Sequence, residues 1–219
     1  MRGVRRLSSV FLVFLSILIF SKTTLAETVQ MILEEEITPD IKVNALVIAD
    51  SAQRAEVKEG LKQAVAHARE TWDALSTEPL LKGHLTDQIA EELTRAGWEN
   101  IFIDLGGVIV ARGKDFNGAW KIPVVDDTTA NAHHAFVFKT FHDIAVATIN
   151  DHDKNVAGIS SDLKSVTVFT NEGAAKAEEL ALAGFAAGLH QAQKMLKRAD
   201  MERSVLIDKN GTFIRIPEE

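Results

Sequence analysis

Between Asn100 and Thr170 the chain is committed to β-structure. Six short segments there are rich in Val, Ile, Phe and Thr: Asn100 to Leu105, Val108 to Arg112, Ala119 to Val125, Ala135 to Thr140, Ile144 to Thr148 and Lys164 to Thr170. Gly106-Gly107 and Lys114-Asp115-Phe116-Asn117-Gly118 are the turn signals between the first three. Thr28 to Glu36 and Ile41 to Ala49 read as a preceding strand pair around Thr38-Pro39-Asp40, with Val43, Ala45 and Val47 alternating along the second. Ser204 to Ile207 and Thr212 to Ile216 close the chain across Asp208-Lys209-Asn210-Gly211.

Helical periodicity flanks this block. Ser51 caps a segment to about Leu75, with Ala55, Val57, Leu61, Ala64, Val65 and Ala68 at helical spacing. Thr86 starts a second, with Ile89, Ala90, Leu93 and Ala96 inward and Gly97 as its stop. A third, Ala-rich helix is expected from about Glu172 to Lys197, turning Leu180, Ala183, Ala187 and Leu189 inward. No repeat, low-complexity tract or linker divides the chain. The expectation is a single α+β domain over residues 27–219, with mixed or antiparallel sheets packed with three main helices.

Residues 1–26 read as something else. Arg2, Arg5 and Arg6 precede an apolar run from Val10 to Phe20, and Thr24-Leu25-Ala26 follows. A basic start, a short apolar stretch and small residues at the −3 and −1 positions describe a secretory signal peptide cleaved after Ala26. The apolar run falls well short of the roughly 20 residues a spanning helix needs, so no stable membrane span is expected after cleavage. An uncleaved anchor is the rival reading. No Cys follows the cleavage position, which excludes a lipid-anchored lipoprotein. The expected location is periplasmic.

The chain carries 24 Lys and Arg against 31 Asp and Glu, a net charge of −7. The leader holds four of those bases and no acid, so its removal makes the chain more acidic still. Nucleic-acid binding is a poor match for that charge. The absence of Cys excludes thiol catalysis and Cys-based zinc sites. Neither standard phosphate-loop spacing is present, and no nucleophile elbow. The densest polar window holds Asp126, Asp127, His133, His134, His142, Asp143, Asp151, His152 and Asp153. His with carboxylate suits zinc, nickel or copper. The spacing matches no metal motif, however, and adjacent His133 and His134 point to opposite faces of a strand. Solvated loop residues and an exported metal-binding protein using His133, His134 and His142 are the two readings of this window. Glu34-Glu35-Glu36 reads as an exposed strand end, and Trp72, Trp98 and Trp120 as packing residues.

Lys82-Gly83, Asp87, Ala96-Gly97 and Asp104-Leu105-Gly106-Gly107 follow one another in an order that resembles the ApbE family, the FAD:protein FMN transferases. Asp143 to Asp151 looks like that family's Ala-Val-Ala-Thr strand, Asp162 to Gly188 like its following strand and metal-site helix, and Ser204 to Ile216 like its C-terminal hairpin. The resemblance implies an ApbE-like, T-fold-related architecture. It also implies a chemistry in which Mg²⁺-assisted cleavage of FAD attaches FMN to a Thr of a partner protein. By that resemblance Lys82, Gly83, Asp104, Gly106, Gly107 and Thr148 would contact the flavin cofactor and Glu178 the metal; no catalytic residue is assigned. The sequence departs from the family at several places. Glu178 and Leu182 stand where the family has Asp and Thr metal ligands, and Ile149-Asn150 where it has Ser-Gly. The His-Ile-Ile-Asp-Pro-x-Thr-Gly motif is missing, and the stretch between Trp72 and Lys82 is short. Two functional expectations result: a degenerate member that binds flavin or assists an exported redox partner, and an active transferase.

Overall fold

The computed structural model describes residues 27–217 apart from 40, 76–79, 127–132, 141, 154–155, 157 and 200. The leader-like segment lies outside the described residues. Strands Thr28–Thr38 (β1) and Ile41–Asp50 (β2) form an antiparallel pair, as the alternation of Val43, Ala45 and Val47 requires. A 3-10 turn, Ser51–Gln53, leads into helix Arg54–Leu75 (α1). The cap is Asp50 rather than Ser51: its carboxylate accepts from Ala52 N at 2.9 Å, while Gln53 Oε1 accepts from Asp50 N at 3.2 Å. That reciprocal capping box satisfies two backbone donors with no intrahelical partner.

Helix Leu81–Arg95 (α2) follows, then strands Ile101–Leu105 (β3), Val108–Arg112 (β4), Trp120–Asp126 (β5), His133–Thr140 (β6), Ile144–Asn150 (β7) and Leu163–Thr170 (β8). Helices Ala174–Ala187 (α3) and Leu189–Leu196 (α4) and the hairpin Arg203–Asp208 (β9) with Phe213–Ile216 (β10) complete the chain. The third long helix of the sequence reading is therefore two. Gly188 breaks it at φ 73°, a left-handed value that glycine adopts without strain, and Asp162 Oδ1 accepts from Leu189 N at 2.7 Å.

Eight strands form one sheet in the order β1-β2-β3-β4-β7-β8-β9-β10, and every neighbouring pair is antiparallel. β5 and β6 form a separate two-stranded ribbon. One sheet face packs on the helices: Val43, Ala45, Val47, Ile101, Ile103, Ala145, Ala147, Val166 and Val168 meet Val57, Leu61, Leu85, Ile89, Leu93, Ala177, Ala181 and Phe185. The intervening residues point the other way. Leu46, Phe102, Ile109, Val146, Phe169 and Val205 meet Trp120, Ile122 and Val124 of the ribbon. Trp98 and Trp120 are buried and Trp72 is packed against the core, in keeping with a packing role for all three. Among the described residues no helix is long and apolar enough to cross a membrane.

Candidate functional site

α2 begins one turn earlier than its sequence suggests. Leu80, at the cap position, offers no side-chain acceptor. The acceptor comes from α3 instead: Glu178 Oε2 takes the Gly83 N–H at 2.7 Å. Thr86, the apparent cap, lies inside the helix, and its hydroxyl donates back to Lys82 O at 2.7 Å. The service is mutual. Asp87 of α2 accepts from Ala174 N at 2.8 Å and Ala175 N at 2.9 Å, closing the start of α3. The two helices cross tightly enough that a Cβ on Gly83 would lie 2.5 Å from Ala175 Cα and 2.7 Å from Ala174 O.

Ionisable groups gather at this junction. Glu178 is fully buried, and its Oε1 has no hydrogen-bond partner among the described atoms. Lys82 Nζ donates to Asp153 Oδ2 at 3.3 Å, with side-chain exposures of 20% and 11%. Burial pushes the Glu178 carboxyl above the ordinary range; the Gly83 N–H, the Lys82 ammonium and His84 oppose that, and Asp153 adds to it. Burial also raises the Asp104 carboxyl, against the Gly107 N–H and the Lys82 ammonium.

Asp104 itself closes the β3–β4 turn: its Oδ1 accepts from Gly107 N at 2.9 Å. Gly106 and Gly107 have φ 60° and 90°, the positive values a tight two-residue hairpin turn demands. Thr148 N donates to Gly107 O at 3.0 Å, and its hydroxyl lies 2.9 Å from that of Thr167. Strand alternation puts Asp104 and Thr148 on the face of Phe102 and Val146, opposite to the helices. Asn44, Asn150, Thr167 and Ser165 share that face and that end of the sheet by register: Asn44 pairs Asp104, Thr148 pairs Thr167, and Asn150 pairs Ser165. A polar row thus crosses the sheet where the apolar packing under the ribbon stops. Sequence reasoning missed these four, because a polar residue at every second strand position is also the ordinary pattern of a solvated face.

The seven residues singled out by sequence therefore fall into two groups at one end of the sheet. Lys82, Gly83 and Glu178 lie on the helix side. Asp104, Gly106, Gly107 and Thr148 lie at the turn and on the ribbon side, and Lys82 acts electrostatically on Asp104.

The His-rich window does not converge. His142 Nε2 pairs with Glu202 at 2.7 Å, Asp143 Oδ1 accepts from Gly113 N, Asp151 pairs with Lys209 and Asp153 with Lys82. The side chains of Asp126, Asp127, His133 and His134 lie outside the described residues. Among the described residues no three His, Asp or Glu side chains are grouped to hold a metal ion. The α2–α3 junction fits a cation poorly as well. Mg²⁺ asks for octahedral coordination by about six oxygens, and a site with one uncommitted Glu178 oxygen beside an ammonium does not supply it.

Comparison with solved structures returns the same architecture. The flavin transferase ApbE from Vibrio cholerae superposes with a TM-score of 0.61 at 15% identity, covering 86% of this chain and 97% of that one. The apo form of the Pseudomonas stutzeri flavinyl transferase ApbE gives a TM-score of 0.59 at 14% identity, covering 86% and 94%. No curated protein matches in sequence. The sequence model of the ApbE family matches residues 35–207, from the first strand to the penultimate one and across both halves of the site. With that match over well more than half its length, the chain belongs to the ApbE family.

Proposed function

We propose that this protein is an exported ApbE-family member that keeps the scaffold without the transfer reaction, and that it binds flavin or assists an exported redox partner. The observation that carries the reading is the state of Glu178. Where the resemblance calls for a metal ligand, one carboxylate oxygen is committed to the start of α2, and no third acidic or His ligand is grouped with it among the described residues. Leu182, one turn further along α3, has no ligand atom. Two recesses among the described residues lie away from Glu178: one is bordered by Ala187, Gln191 and Met195 near α4, and one by Ile122, Phe138, Thr140 and Arg203. Scaffold and chemistry are separable in this way because one fold can carry many different sites. The leader-like residues 1–26 support the exported part of the reading.

The test is isothermal titration of the purified protein with FAD and with FMN, each with and without Mg²⁺, followed by an assay for FMN transfer to a Thr-containing acceptor. Flavin affinity without transfer is expected. Mg²⁺-dependent transfer that disappears in Glu178→Ala would replace this reading with that of an active transferase. Absence of affinity for either flavin would remove the flavin half and leave the accessory role.

A further inference from the structure

We infer that the free edge of β6 takes an extended segment of a protein partner, acidic at alternate positions and apolar between them. The inference rests on the accessory half of the proposed function and names the face that meets the partner. The ribbon is two strands, and no third strand pairs with either among the described residues. Its two edges are not alike. Pro123 stands inside β5 opposite Val137 and has no N–H. Proline fits there only where a strand's N–H points away from its neighbour, which leaves the β5 edge short of a donor. Opposed residues of an antiparallel pair share that orientation, and it recurs at every second position. The N–H and C=O of Val137 and Lys139 therefore point outward from β6, and no backbone group among the described residues bonds them. Such an edge is a template for one more strand. The register shift between Val124 and Val125 ends its regular part at Phe136, so the added segment is short.

Side chains on the two faces set the chemistry of that segment. Lys121 lies directly opposite Lys139 on the outer face, and neither meets a carboxylate among the described residues. Like charges facing each other across strands repel, and acids laid beside them relieve that. No Asp or Glu lies between Asp115 and Asp126 or between Asp127 and Asp143, although the chain as a whole has a net charge of −7. On the inner face is the recess bordered by Ile122, Phe138, Thr140 and Arg203, with the Arg203 guanidinium 5.1 Å from the Phe138 ring centre. Glu202, at the same recess, is committed to His142 Nε2 at 2.7 Å. Successive residues of an added strand alternate between the two faces. Acids then meet Lys121 and Lys139, and apolar residues meet Phe138 and the recess. The same segment covers Val137, which is 52% exposed. A second copy of β6 brings another Lys139 and no acid, so charge favours a different chain.

The test uses the purified protein without flavin and a labelled seven-residue peptide alternating Val and Glu, with a counterpart carrying Lys in place of Glu. Fluorescence anisotropy reads the affinity, and amide hydrogen exchange by NMR locates the site. The Val–Glu peptide is expected to bind, less tightly as sodium chloride is raised, and to slow exchange at the Val137 and Lys139 amides. The Lys peptide is expected not to bind. Lys121→Glu with Lys139→Glu is expected to weaken the acidic peptide about tenfold or more and to bind the basic one instead. An acidic peptide that does not bind, or binds the double variant equally well, would overturn the inference. A mass that doubles with concentration and stays monomeric in Val137→Pro would overturn it by giving the edge to a second copy. Sedimentation with phosphatidylglycerol vesicles that is lost in the double variant would overturn it by giving the face to a membrane. If the double variant does not fold, Lys139→Ala decides, with weaker binding of the acidic peptide expected. No flavin or transfer step enters, so failure here is distinct from failure of the flavin titration and the transfer assay.

Discussion

The sheet is sealed on its two faces by different chemistry. Under the ribbon the contacts are largely apolar and aromatic: the rings of Phe138 and Phe169 meet tilted at 59° with centroids 4.5 Å apart, and those of Phe102 and Trp120 at 45° with centroids 5.6 Å apart. Trp120 satisfies its one polar atom by donating Nε1–H to Arg112 O at 2.8 Å. On the helix side, buried charge accompanies the apolar packing, with Glu178, Asp87, Lys82 and Asp153 all at the α2–α3 junction. The two strands of the ribbon pair with one another, and the ribbon docks on the sheet through an apolar face. A helix start exposes N–H groups with no partner in the helix, and burying two such starts together calls for acceptors. The difference teaches that a buried carboxylate in this fold has a structural duty before any chemical one. Glu178 performs that duty whether or not it ever meets a ligand.

The comparison predicts a graded response to substitution. Phe169→Ala on the ribbon side should cost most, about 3–5 kcal/mol, because it opens a cavity against Phe138. Chemical denaturation measures it. Asp87→Ala should cost less, about 2 kcal/mol, by leaving the Ala174 and Ala175 N–H groups without their acceptor. If the order were reversed, with Asp87→Ala the more damaging, the helix side rather than the aromatic side would dominate stability and the comparison would break.

Glu178→Gln sharpens the point through pH. A carboxyl raised by burial favours folding in its protonated form, so its contribution is fully present below the unfolded value of 4.5 and is lost as pH rises through the folded one. Gln keeps an acceptor for Gly83 N–H and never ionises. The stability of the variant relative to wild type should therefore climb as pH rises from about 4 to neutrality. A difference flat across that range, read from unfolding curves at a series of pH values, would show that burial does not hold the Glu178 proton. The smallest effect belongs to the outer strands. Lys42 meets Glu34 and Glu36 across β1 and β2 with all three side chains in water, and Lys42→Ala should leave the unfolding midpoint where it was.

Much of the architecture was legible because it depends on local pattern. All ten strands were placed from alternation and turn residues, and the Gly106-Gly107 turn has the positive φ values its sequence implies. Errors fell where the deciding partner is remote in sequence. The start of α2 was misread at Thr86 because its acceptor, Glu178, lies on another helix. The break at Gly188 was read through because the Asp162 carboxylate that receives Leu189 N is likewise distant. The lone ribbon was not foreseen either, since β5 and β6 carry the same alternation as strands of the main sheet.

For the site, sequence alone determined which chemical groups exist: Lys82, Asp104, Thr148 and Glu178, with no Cys and with Leu182 at the position where the resemblance would put a metal ligand. Residue identity is a local property, and so are turn preference and strand or helix periodicity. Tertiary structure decided which of those groups meet. It joined Glu178 to Gly83 across 95 residues and Lys82 to Asp153 across 71, and it put Asp104 and Thr148 on the opposite sheet face. Those pairings follow from burying two helix starts against one another, and the need to satisfy a buried N–H is set by packing rather than by any neighbour in the chain.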